Sequence, residues 1–123
     1  MQTNSKKVLE ALPTFDDYLN LIEEIKTISF EKMLTENAIR EKEAETFKRV
    51  MTEPQFFVNQ KAVSVSYYEN CYKFTGIDGE LVRMREHLAK MVALLEQKRS
   101  QVEVYNKMHE MYKTLVYQEK SLA

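Results

Sequence analysis

Residues 80–121, ELVRMREHLAKMVALLEQKRSQVEVYNKMHEMYKTLVYQEKS, run without a single glycine or proline. Glycine supplies positive φ and proline preset φ where a chain turns, so a stretch lacking both has nothing to break a helix. Leu81, Met84, Leu88, Met91 and Leu95 recur in it at heptad spacing. The seam falters at Lys98 and resumes as Val102, Tyr105, His109, Tyr112 and Val116, and a second row (Val104, Met108, Met111, Leu115, Leu122) runs beside it. Met91 to Leu95 is apolar nearly all round, which implies neighbours on more than one side. Asp78 is placed to cap this segment, with Glu80 in its first turn. The pattern predicts a long helix over about 78–121.

Outward from there, the whole chain has only two glycines and two prolines. They are Pro13, Pro54, Gly76 and Gly79, all at ends or joints. After Pro13, Thr14 is a good N-cap and Asp16 and Asp17 suit the positive end of a helix dipole. Phe15, Tyr18, Leu19, Ile22, Ile25 and Ile28 then follow at helical spacing. From Thr35 to Thr46 the apolar pattern thins, and Glu36 with Arg40 and Glu45 with Arg49 are oriented as favourable pairs one turn apart. Phe47, Val50 and Met51 restore it. A second long helix is predicted over about 14–51, preceded by a flexible arm over 1–13 with at most a helical turn at Val8 to Leu12.

Thr52-Glu53-Pro54-Gln55 matches a capping box, with Met51 and Phe56 placed as a hydrophobic staple and Pro54 in the first turn. A shorter middle helix is predicted over about 53–74, ending at a left-handed Gly76. Val63 to Tyr67 also alternates with the period of a strand, but a lone strand between long helices would have nothing to pair with. At a rise of about 1.5 Å per residue the three helices measure roughly 57, 33 and 65 Å. Neither a three-helix stack nor a hairpin of the long pair covers the broad apolar face of residues 102–116. The expectation is a single all-α domain, an elongated bundle with coiled-coil-like packing that associates with itself or with a protein partner.

The charge balance, 18 basic against 19 acidic residues and a net charge of -1, gives no general attraction to nucleic acid or anionic lipid. Hydrophobic residues at 44% and charged residues at 30% suit a folded amphipathic chain. The single cysteine, Cys71, allows no intrachain disulfide, and a cytoplasmic location is expected. No segment reads as a signal peptide or a membrane span.

Residue patterns that carry chemistry are sparse. His87 and His109 have no acidic residue three or four positions before them, so the Glu-x-x-His pair of di-iron bundles is missing. Cys71 has no neighbouring base, there is no glycine-rich phosphate loop, and Glu41, Glu43 and Glu45 read as a solvated face. No catalytic, metal or cofactor residues are assigned, and the chain is expected not to be an enzyme. Lys98, Arg99, Lys107 and Lys113 interleave with Tyr105 and Tyr112, which keeps a nucleic-acid-associated accessory factor as the alternative.

Aromatic and methionine content points instead to protein contact, because these side chains bring large area and adapt to a partner. In the middle segment the candidates are Phe56, Phe57, Tyr68 and Tyr72. Near the C-terminus they are Val102, Tyr105, Met108, Met111, Tyr112 and Leu115. The functional expectation is a non-catalytic adaptor, assembly or regulatory protein that presents helix faces to itself and to a protein partner.

Overall fold

The computed structural model describes residues 3–122. The chain is all-α: four α-helices occur among these residues, α1 (Asn4–Ala11), α2 (Phe15–Thr52), α3 (Val65–Cys71) and α4 (Glu80–Leu122). No strand is present among them, and the one strand-like contact is an isolated antiparallel bridge between Val58 and Lys61. The chain divides into two compact units, one formed by residues 1–28 and 94–123 and the other by residues 29–93.

The start of α2 follows from its first four residues. The Asp17 N–H donates to Thr14 Oγ1 at 3.1 Å while the Thr14 N–H donates to Asp17 Oδ2 at 2.8 Å. Two orphan donors of the helix end are thereby satisfied reciprocally, with an aspartate in place of the usual glutamate.

The segment before it differs from a frayed arm. Asn4–Ala11 is helical, and Thr3 Oγ1 caps it by accepting from the Lys6 N–H. Leu12 and Pro13 then carry the chain into α2, with Leu12 in an extended conformation.

The first unit packs the beginning of α2 against the end of α4 in antiparallel sense. Lys98 Nζ meets Glu24 at 2.8 Å, and further along α4 the Tyr18 hydroxyl donates to Asn106 Oδ1 at 3.1 Å. Leu21, Ile28 and Leu95 are its buried aliphatic residues.

In the second unit α2 and α4 are again antiparallel, with Arg85 bonded to Glu43 at 2.7 Å and the Thr35 hydroxyl directed at Met91 Sδ, 3.8 Å away. Its core gathers Val50, Val63 and Tyr68, with Met51, Phe56, Tyr72 and Ile77 packed around them. Leu81, Val50 and Thr46 are the most deeply buried side chains, and burying each of the two aliphatics contributes about 1.5–3 kcal/mol.

The middle helix predicted over 53–74 is not formed. A 3-10 turn at Pro54–Phe56 leads into a tight reversal in which Val58 and Lys61 exchange backbone bonds of 3.0 and 3.1 Å. Asn59 and Gln60 at its tip have φ of 53° and 66°, a left-handed conformation that Asn tolerates better than most residues. Helix resumes only at α3, where Ser64 acts as N-cap by accepting from the Tyr67 N–H at 3.1 Å. Ser and β-branched Val are weak helix formers, and a serine offered a capping role takes it. The reversal brings Val63 and Tyr68 onto Val50 together, and that packing outweighs the backbone bonds of a continuous helix.

The capping box at Thr52 is absent for a related reason. α2 runs on through Thr52, the Glu53 N–H still reaches Arg49 O at 2.9 Å, and the Thr52 hydroxyl donates back to Lys48 O. Asp78 is likewise not the device that closes the start of α4. The Glu80 carboxylate turns back instead and accepts from the Ile77 and Asp78 N–H groups at 3.0 and 2.6 Å. Gly76 does adopt the left-handed conformation expected of it, with φ of 79°.

Candidate interaction surfaces

The first unit is where most of the sequence-derived candidates lie. On α4, Val102, Tyr105 and Tyr112 are half-buried and share the helix face on which Tyr105 and His109 meet Tyr18 of α2. Tyr105 packs edge-on to Tyr18 with ring centroids 5.3 Å apart, and His109 lies 5.7 Å from the same ring. Gln101 donates to the Tyr105 hydroxyl at 3.3 Å, so this tyrosine is held on both sides. His109 thus serves as a packing partner for an aromatic ring.

The second row of α4 points elsewhere. Val104 is 53% exposed and Met111 49%, with half-buried Met108 and Leu115 between and beyond them and Leu122 at the far end. At about 100° per residue these five fall within one narrow arc of the helix. The six candidates near the C-terminus therefore divide by row: Val102, Tyr105 and Tyr112 inward, Met108, Met111 and Leu115 along the outward arc. Val104, which belongs to that arc, was not among the six.

On α2 the single apolar face read from the sequence also divides. Tyr18, Leu21, Ile25 and Ile28 are the buried or half-buried members, whereas Phe15 is 75% exposed and Leu19 and Ile22 are exposed beside it. Leu21 was missing from the predicted face. Its burial beside exposed Leu19 and Ile22 shows that two interleaved rows, not one, run along this part of α2.

Three of the four middle-segment candidates, Phe56, Tyr68 and Tyr72, assemble into the second unit's core. Tyr68 is buried, its ring edge-on to Phe47 at 4.9 Å, and its hydroxyl donates to Glu43 O at 3.4 Å. Burial pushes its phenol above the usual range. Phe56 and Tyr72 pack edge-on at 5.9 Å, and the Arg49 guanidinium lies 5.9 Å from the Phe56 ring centre while its Nε donates to Glu53. Phe57 is half-buried. The aromatic rings left exposed in this unit are Phe30, Phe47, Tyr67 and Phe74, the last with the Arg85 guanidinium 5.1 Å above it.

Lys98 is engaged with Glu24 and Tyr105 is packed, so the basic and stacking residues of α4 do not line up as a free strip. Among the described residues no three His, Cys, Asp or Glu side chains converge as a metal site, and no helix is long and apolar enough to cross a membrane.

Residues far apart in sequence also meet at the end of α4. The Ser5 N–H donates to Glu119 Oε1 at 3.1 Å and the Ser5 hydroxyl donates to Glu119 Oε2. Nothing in the local sequence of either residue signals this contact.

The sequence matches no family profile and no curated protein, and the fold matches no solved structure.

Proposed function

We propose that this chain is a non-catalytic helical interaction protein of the cytoplasm, an adaptor, assembly or regulatory factor that works through self-association and protein–protein contact. The observation that carries the reading is the outward row of α4. Val104 and Met111 stand about half exposed there, one turn on either side of Met108, and Leu122 continues the row. Ordered apolar rows on a rigid helix are what a helical partner packs against, and methionine adapts its shape to such a partner. Burial of Leu81, Met91 and Leu95 at heptad spacing supports the coiled-coil-like packing that is part of the proposal.

The test is sedimentation equilibrium of the native chain and of Val104→Glu with Met111→Glu. Reversible association at tens of micromolar (a range typical of a modest interface) that disappears in the double variant supports the reading. Arg99→Glu with Lys113→Glu, on exposed positions away from that row, is the control and leaves association intact. A native chain that stays monomeric, with a double variant that merely melts earlier, overturns it.

A further inference from the structure

We propose that the outward side of α4 pairs in antiparallel sense with the same side of a second copy of this chain, about a two-fold axis that passes between Glu96 and Gln97. The inference rests on the interaction reading above and names the partner, its direction and its register.

The first observation is a pattern of charge. Along α4, Arg83, Glu86 and Lys90 read plus, minus, plus, and Glu103, Lys107 and Glu110 read minus, plus, minus. The intervals are mirrored as well, three then four residues in the first triplet and four then three in the second. An antiparallel copy therefore sets Arg83 against Glu110, Glu86 against Lys107 and Lys90 against Glu103, and a two-fold axis repeats all three. A parallel copy in register would set each of these charges against its own like. Like charges across a contact exclude that arrangement, so the pattern selects one direction.

The charges are also available. All six residues are exposed. Arg85 and Lys98 on the same helix are instead tied to Glu43 and Glu24. Among the described residues none of the six has an ion-pair partner within the chain, although Glu86 with Lys90 and Glu103 with Lys107 have the spacing for one. Arg83 makes a 3.5 Å bond to the Asp78 carbonyl, which leaves its charge uncompensated.

Shape agrees with charge. At heptad spacing Glu86, Ala93, Ser100 and Lys107 form one exposed column, on the side of α4 away from buried Leu81 and Leu95. The register set by the charges places Ala93 against Ser100 of the second copy. Two small side chains at the centre let the helix axes approach to the near end of the usual range of about 8–10 Å. The same register covers the two exposed members of the outward row, Val104 with Ala89 of the second copy and Met111 with its Val82. These apolar contacts supply affinity, whereas the exposed ion pairs supply direction and register.

Charge reversal tests the pairing by sedimentation equilibrium. Arg83→Glu with Lys90→Glu, and separately Glu103→Lys with Glu110→Lys, should each weaken association about tenfold or more, because attractive pairs become repulsive. An equimolar mixture of the two variants restores every pair and should associate as the native chain does. A variant that had merely lost its fold would not be rescued by mixing. Disulfide cross-linking in a Cys71→Ser background then reads the register. Ala93→Cys combined with Ser100→Cys should oxidise to a covalent dimer, and either substitution alone should not. The two positions lie ~10.5 Å apart along one helix, too far to bridge within a chain. Reversal variants that associate like the native chain, or that weaken without rescue in the mixture, overturn the pairing and leave the interaction reading to Val104→Glu with Met111→Glu. Cross-linking by either single substitution overturns the antiparallel register. A native chain that stays monomeric overturns the pairing together with the reading beneath it.

Discussion

The carboxylate of Glu80 stands where a side chain at position 76 would have to be: a Cβ on Gly76 would fall 2.5 Å from Glu80 Oε1. The same carboxylate holds the Ile77 and Asp78 N–H groups, so the glycine makes room for the residue that closes the start of α4. Gly76 is thus required twice, for its φ of 79° and for its missing side chain.

Gly76→Ala should therefore cost more than Gly79→Ala. Both positions are left-handed, which costs a residue with a Cβ about 1–2 kcal/mol. At Gly79 the nearest obstacle is the flexible end of Arg83, 3.8 Å away, whereas at Gly76 the Glu80 carboxylate must move as well. Urea denaturation of the two variants measures the difference. Equal costs would show that the Glu80 contact contributes nothing.

Acid should weaken the second unit through Glu80. Burial pushes its carboxyl up, but the backbone N–H groups of Glu80 itself, Asp78 and Ile77 more than offset that, and the carboxyl sits below its ordinary value of 4.5. A carboxyl held low when folded contributes stability that is complete above the unfolded value and is lost as pH falls through the folded one. Thermal melts from pH 6 down to about pH 3 should show this loss, and Glu80→Gln should flatten it in proportion. An identical pH profile in Glu80→Gln would assign the acid sensitivity elsewhere.

The two threonines at the ends of α2 should behave oppositely. Thr14→Ala removes a reciprocal cap and should cost about 1 kcal/mol. Thr52→Ala removes only a hydroxyl that bonds back to Lys48 O on an exposed turn, and should be close to neutral. Chemical denaturation of both variants decides between this assignment and a capping box at Thr52.

What was legible in the sequence was what depends on neighbours along the chain. The absence of glycine and proline, the Thr14 cap and the left-handed Gly76 are local properties, and α2 and α4 follow from them. The middle segment was illegible because Asn59, Ser64 and Val65 permit helix without demanding it. The choice was made by Val50, which Val63 and Tyr68 can both reach only if the chain reverses. Periodicity showed that α4 carries two apolar rows but not which one faces inward, since Tyr105 and Met108 are equally eligible for a core. Ser5 and Glu119 lie 114 positions apart, and no local pattern announces such a pair.

Cys71, the only cysteine in the chain, lies exposed at the end of α3, where its thiol and then Tyr72 push the Tyr67 phenol above its usual value. Its accessibility cuts two ways at the bench. In aerated buffer a pair of such thiols can oxidise to a covalent dimer, which would imitate non-covalent association in a centrifuge cell. Kept reduced, the same sulfur is a unique attachment point for a fluorophore or spin label. A maleimide there marks the second unit and leaves Ser5, Glu119 and the outward row of α4 chemically untouched.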